Sequence, residues 1–123
     1  MVERIEEFAR NGKNFIYIDV SNLKKNEDFI KIVDLVQQVI VKYPAKSVNT
    51  IVNIENIIFD TETKEIAGNC LKHNEPYVKH GGVIGLDGIK KIMANAVFKF
   101  SGRHHMRFFY TKEQAIAWLL QQE

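Results

Sequence analysis

Four times along this chain an apolar, β-branched run gives way to a segment with helical spacing, and that alternation restricts the fold more than any other feature. Phe15-Ile16-Tyr17-Ile18-Asp19-Val20 is almost continuously apolar, the pattern of a strand covered on both faces. From Asn26 to Tyr43 the residues Phe29, Ile32, Val33, Val36, Ile40 and Tyr43 then fall on one helical stripe, which Pro44 ends because proline cannot continue the hydrogen-bond ladder. Val48 to Ile54 is the second strand. Asp60-Thr61 caps the helix that follows, Glu62 and Glu65 suit its positive end, and Ile66, Ala67, Cys70 and Leu71 form its inward stripe. Tyr77 to Leu86 is the third strand, with Ile89, Ile92, Met93, Ala96, Val97 and Phe100 lining a third helix that Gly102 closes. His105 to Tyr110 is the fourth strand. Thr111-Lys112-Glu113-Gln114 has the capping-box pattern of a last helix, with Ile116, Leu119 and Leu120 inward and Trp118 partly so.

Strands alternating with helices of this length imply right-handed crossovers and a largely parallel sheet, hence an α/β fold. The first residues fit two readings. Val2, Ile5, Phe8 and Ala9 have helical spacing, whereas Asn11-Gly12 is a hairpin signal that makes them an antiparallel edge strand; the hairpin is favoured because it sheathes a sheet edge. With 123 residues and no linker, repeat or low-complexity tract, one domain spanning residues 1–123 is expected.

Composition excludes several classes. No apolar run approaches the roughly 20 residues that cross a bilayer, and the acidic, broken start is unlike a secretory signal, so a cytoplasmic location without membrane insertion is expected. Cys70 is the only cysteine, which rules out an internal disulfide; on the apolar helical stripe it reads as a core thiol. Charge is lopsided. Residues 1–62 hold eight Lys/Arg against ten Asp/Glu, and residues 63–123 hold nine against five. That bias permits an anionic partner for the second half, although a solvated basic face is the simpler account. Lys90, Lys91, Lys99, Arg103, His104 and Arg107 interleave with Phe98, Phe100, Phe108, Phe109 and Tyr110, a mixture able to grip single-stranded nucleic acid. Most of those aromatics follow core periodicity, however, and the sequence pI of 8.6 is below the range of typical nucleic-acid binders, so nucleic acid is disfavoured.

The chemistry-bearing residues gather at strand ends. Asp19, Glu55, Asp60 and Asp87 all lie at or just beyond the C-terminal ends of predicted strands, the edge where open α/β sheets bind ligands. Ser21, Asn22, Asn53 and Asn56 join them in a polar rim, although each alone also suits a cap or a turn. Gly85-Leu86-Asp87-Gly88 follows a strand and opens a helix, so free backbone N–H groups there could face a small anion, with Lys90 and Lys91 adding charge. It lacks the Gly-x-Gly-x-x-Gly and Gly-Lys-Ser/Thr patterns, and tight packing explains the glycines more simply. His104 and His105 point to opposite faces of a strand, and His73 and His80 have no ligand spacing; neither a metal nor a cofactor is expected. An enzyme would need Asp19, Asp60 or Asp87 to converge with a histidine in one cleft.

Five segments occur in a telling order: Tyr17-Ile18-Asp19-Val20-Ser21-Asn22-Leu23, Asn74-Glu75-Pro76-Tyr77-Val78-Lys79, Val83 to Lys91, Phe100-Ser101-Gly102-Arg103 and Glu113 to Leu119. Together, from about Gly12 onward, the chain resembles the small bacterial STAS-like proteins, also described as SpoIIAA-like or STAS/SEC14-like. The resemblance implies a four- or five-stranded mixed sheet with helices packed mainly on one side. It implies a module that acts by binding a protein partner, and with a polar rim but no assembled catalytic constellation the chain reads as non-catalytic and regulatory; an exposed sheet edge or helix face could also support a homodimer. In better-known STAS domains a Ser or Thr opening the helix after a central strand is phosphorylated. Here Asp60-Thr61 occupies that place, followed by Glu62-Thr63-Lys64 where a glycine and apolar residues are usual. Thr61, with Ser21 as a second hydroxyl, is therefore the candidate phosphorylation position. The SEC14 likeness implies an alternative, a small-molecule or lipid carrier with a pocket between helices and sheet.

Overall fold

The computed structural model describes residues 4–58, 60–85, 87, 92, 95 and 106–122. Within them a five-stranded sheet has the order β1 (Ile5–Arg10), β2 (Lys13–Asp19), β3 (Val48–Asn53), β4 (Val78–Ile84), β5 (Met106–Phe109). β1 pairs antiparallel to β2, and the remaining pairs are parallel. Helices α1 (Asn26–Ile40), α2 (Thr61–Asn74) and α3 (Lys112–Leu120) complete the described elements. Of the expected third helix only Ile92 and Asn95 are described, both helical and exposed, so Ile92 does not face inward as its spacing suggested; Gly88, Lys90, Lys91 and the Phe98-to-His105 stretch lie outside the described residues.

Within the N-terminal segment Ile5–Arg10 is a strand. Asn11 and Gly12 take φ of 53° and 78°, the left-handed pair that a two-residue hairpin loop requires, and β1 runs from Ile5↔Ile18 to Arg10↔Lys13 in strict antiparallel register. Helical spacing of four apolar residues loses here because Asn-Gly fixes the reversal locally. Tyr43 Oη donates to the Glu7 carboxylate at 2.7 Å, tying this outer strand to the end of α1. Partial burial and the Glu7 charge push the Tyr43 phenol up to about 12, so it remains a donor across the physiological range.

Both faces of the sheet are covered, which explains the unbroken apolar run of β2. Ile16 faces Ile40, Val48 and Val78 in one cluster, while α1 and α2 cover the same face around Val20, Phe29, Ile32, Val36, Ile54 and Val83. On the opposite face Phe15, Ile51 and Ile84 pack against Ala115, Ile116 and Leu119 of α3. Two adjacent glycines make β4 thin. A Cβ on Gly81 would stand 2.3 Å from Met106 Sδ, and one on Gly82 would stand 3.2 Å from the Phe109 ring, so β5 side chains cross β4 on both faces.

Several boundaries differ from the sequence reading. Helix α1 stops at Ile40, and Lys42 and Tyr43 instead donate to carbonyls three residues back, a tightened final turn ahead of Pro44. The buried positions of α2 are Thr63, Gly68 and Asn74 rather than the expected apolar stripe. Ala67, Cys70 and Leu71 do face inward, but they line an apolar cavity and so remain half-buried. At α3 the Thr111 hydroxyl accepts from Gln114 N as expected, while Gln114 Oε1 accepts from Tyr110 N, closing the capping box one residue early.

Candidate functional site

The three central strands end level with one another. Val20 N donates to Asn53 O, and Ile54 N donates to Ile84 O, so the turns after β2, β3 and β4 form one edge. Asp19, Ser21, Asn22, Glu55, Asn56 and Asp60 all emerge from the first two of these turns or from the cap of α2.

They form three hydrogen-bonded groups. In the first, Asp19 Oδ1 accepts from Ser21 N at 2.9 Å and from Ser21 Oγ at 2.5 Å. Arg4 Nη1 donates at 3.0 Å to the carbonyl oxygens of both Asp19 and Ser21, and stands 3.9 Å from Asp19 Oδ1. Ser21 is buried, with its hydroxyl committed to that carboxylate. In the second, Asn22 and Asn56 both adopt left-handed backbone, with φ of 63° and 59°. Asparagine tolerates that conformation better than most residues. Asn56 Nδ2 donates to Asn22 Oδ1 at 2.9 Å, Asn22 N donates to Glu55 O at 2.9 Å, and Lys24 Nζ donates to Asn56 O at 2.7 Å. Asn53 Oδ1 accepts from Glu55 N, which pins the same turn from beneath.

The third group caps α2. Asp60 Oδ1 accepts from Thr63 N at 2.8 Å, and Thr63 Oγ1 lies 2.9 Å from Asp60 Oδ1 and 2.8 Å from Asn26 Oδ1. A hydroxyl carries one proton, so it serves one of these acceptors at a time. Thr61, the first helical residue, is exposed beside this cap. The Thr63 backbone bond, then its side chain, hold the Asp60 carboxyl below its ordinary 3.8. A depressed carboxylate pKa contributes stability that is present above the unfolded value and lost as pH falls through the folded one. The start of α2 is therefore expected to loosen only below about pH 3.8. Amide exchange at Thr63 and Lys64, followed between neutral and strongly acid pH, checks this; Asp60→Asn should flatten the acid limb of the profile.

The structure thus brings Asp19, Ser21, Asn22, Glu55, Asn56 and Asp60 to one edge with Thr61 alongside. Asp87 is described as an exposed residue two positions beyond Gly85, and Gly88 lies outside the described residues. Gly85 has a φ of 86°, and a Cβ there would lie 2.6 Å from Glu55 N, so β4 exits against the backbone of the β3 turn. Four participants escaped the sequence reading: Arg4, Lys24, Asn26 and Thr63. The described histidines are elsewhere. His73 Nδ1 bonds Asn74 at the far end of α2, and the His80 ring meets Trp118 edge-on at 6.1 Å. Among the described residues no group of three or more His, Cys, Asp or Glu could hold a metal ion, and no helix is long and apolar enough to cross a membrane.

Beneath the rim, between α1, α2 and the sheet, lies an apolar cavity of about 110 Å³. Its described walls include Phe29, Val36, Val52, Ala67, Leu71 and Met106.

No family model and no curated protein matches the sequence. Solved structures do match the fold. An uncharacterized protein of the DUF3478 family with a SpoIIAA-like fold, from Shewanella loihica PV-4, superposes with a TM-score of 0.70 over 94% of this chain and 91% of that one, at 14% identity. The fold is STAS-like. An anti-sigma-factor antagonist (STAS) domain protein from Planctomyces limnophilus agrees, with a TM-score of 0.57, 11% identity, and coverage of 92% of this chain and 96% of that one. The STAS-like architecture suggested by the five ordered segments is therefore the observed one, and the hairpin supplies the one antiparallel pair among the described strands.

Proposed function

We propose that this STAS-like chain is a non-catalytic regulatory or protein-interaction module that docks a protein partner on the C-terminal edge of its sheet. The observation that carries this reading is how the rim groups are used. Asp19 and Asp60 hold loop and helix backbone, and Asn22 and Asn56 hold each other. Such groups form a preorganised surface rather than an acid–base pair waiting for substrate. Ile58, a large aliphatic residue 43% exposed between Asn56 and Asp60, supplies the apolar anchor that a docking surface needs. Of the two hydroxyl candidates, Thr61 is exposed whereas Ser21 is buried and committed, so modification is assigned to Thr61. A phosphate there sits at a helix N-terminus, which favours negative charge, and changes what the edge presents. A small anion bound at this edge would modulate the same surface. A cytoplasmic setting, and homodimerisation as one form of partnership, belong to this reading.

Cross-linked capture from the native host is the test. Wild type should retain a discrete partner, Ile58→Asp should retain about tenfold less, corresponding to roughly 1.4 kcal/mol, and Thr61→Glu should shift retention in either direction. Retention indifferent to both substitutions rejects the reading.

The cavity favours a second reading, a small-molecule or lipid carrier. Its 110 Å³ approaches the size of engineered apolar cavities that take up benzene, about 150 Å³. The same preparation, sprayed gently in native mass spectrometry, should then carry an added small apolar mass; bare protein excludes a stably loaded carrier.

A further inference from the structure

The opposite edge of the sheet, where β2, β3 and β4 begin, has the reverse character. A polar cleft of about 210 Å³ opens there, lined by Lys13, Asn14, Lys46, Ser47, Asn49 and Lys79 together with Gly12 and Gln122. Three separate backbone devices deliver its lysines. Lys13 follows the hairpin turn, and its Nζ donates to the carbonyl oxygens of Leu120 and Gln122 at the end of α3. Lys46 stands in left-handed backbone at φ 54°, with its amide donating to Pro76 O and its ammonium paired to Glu75 at 2.6 Å. Lys79 is the extra residue of a β-bulge: Val48 pairs with Val78 and Asn49 with His80, leaving Lys79 without an opposite number. Bulges in parallel pairs are rare, and they re-aim a side chain. Lys79 is exposed and makes none of the ion pairs seen among the described residues.

Asn49 supplies an independent observation. It is only 2% exposed, lines the cleft, and its Oδ1 has no hydrogen-bond partner. Buried polar atoms in native proteins are satisfied, so an orphan acceptor on a residue that lines a cleft shared with three lysines calls for a donor from outside. Among the described residues that line or pair into the cleft, three lysines face one carboxylate, Glu75. A phosphate monoester, with a charge of about −1.5 to −2 at neutral pH, matches that surplus better than a monocarboxylate.

We infer that this cleft binds a small phosphate ester bearing a free hydroxyl, with the phosphate among Lys13, Lys46 and Lys79 and the hydroxyl donating to Asn49 Oδ1. The site is independent of the docking edge, which lies at the other ends of the same strands.

Titration of the full chain with glycerol 3-phosphate and with inorganic phosphate, followed by amide NMR, tests it. Saturable shifts are expected at Asn14, Ser47, Asn49 and Lys79. Lys79→Ala, which removes no ion pair among the described residues, should weaken binding of both probes about tenfold. Lys31→Ala on α1 removes the same charge elsewhere and should change binding by less than about twofold. Asn49→Ala should weaken glycerol 3-phosphate more than inorganic phosphate. Shifts that never saturate, or equal weakening by Lys31→Ala and Lys79→Ala, would overturn the site; equal weakening of both probes by Asn49→Ala would overturn the hydroxyl assignment.

Discussion

Gly85→Ala should destabilise the protein by about 3 kcal/mol, whereas Gly12→Ala should cost only about 1 kcal/mol. Both glycines have positive φ, 86° and 78°, so an L side chain is strained at either. They differ in what the new methyl meets. At Gly12 nothing lies within 4 Å, so the backbone preference is the whole effect. At Gly85 the Cβ would sit 2.6 Å from Glu55 N and 2.8 Å from Glu55 Cα. Those are backbone atoms of the rim turn, which no side-chain rotation can clear. Either β4 withdraws or the Glu55–Asn56 turn moves, and the second outcome breaks the Asn22–Asn56 and Asn22–Glu55 bonds. Urea unfolding of both variants measures the pair. Equal losses would mean that the close approach of β4 to the Glu55 turn contributes nothing.

Phe15→Ala should cost still more, about 4 kcal/mol. Phe15 is fully buried in the middle of β2, stacks on Phe8 with ring centroids 5.1 Å apart, and belongs to the cluster that fixes α3 to the sheet. Truncation leaves a void that a rigid sheet cannot close. Against a typical total of about 5–15 kcal/mol this leaves a marginal protein, while Phe15→Leu should lose no more than about 1.5 kcal/mol. Trp118, the only tryptophan, packs beside Phe109 in the same layer, so its fluorescence through a urea titration reports the loss directly. A Phe15→Ala midpoint within error of wild type would show that α3 is held by something other than this layer.

The strands and helices were legible because their periodicities are local and strong. Phe15 to Val20 could only be a strand buried on both sides, and Phe29 to Ile40 only an amphipathic helix. The rim was legible as a set of strand ends, since parallel topology brings equivalent ends together. What each rim group bonds was not. Thr63 and Asn26 are separated by 37 residues and meet only because α1 and α2 pack side by side. The basic cleft was missed for a different reason. Open α/β sheets bind ligands at strand C-termini, the opposite edge, and Lys79 is aimed by a bulge that leaves no trace in hydrophobic spacing. Arg4, by contrast, is legible from the hairpin. A two-residue loop at Asn11-Gly12 pairs Arg10 with Lys13, and counting back along both strands sets Arg4 opposite Asp19.

That counting gives the hairpin a role at a distance. The turn stands at the cleft end of β2, yet the arginine it positions grips the Asp19–Ser21 loop at the other end, roughly 20 Å away at 3.3 Å per residue. Loop length at Asn11-Gly12 thus works as a gauge. Adding or deleting one residue there would turn every β1 side chain to the opposite face, lifting Arg4 off the two carbonyl oxygens it now joins. The outermost strand of the sheet is in this sense a ruler, cut to length at one edge of the molecule and read at the other.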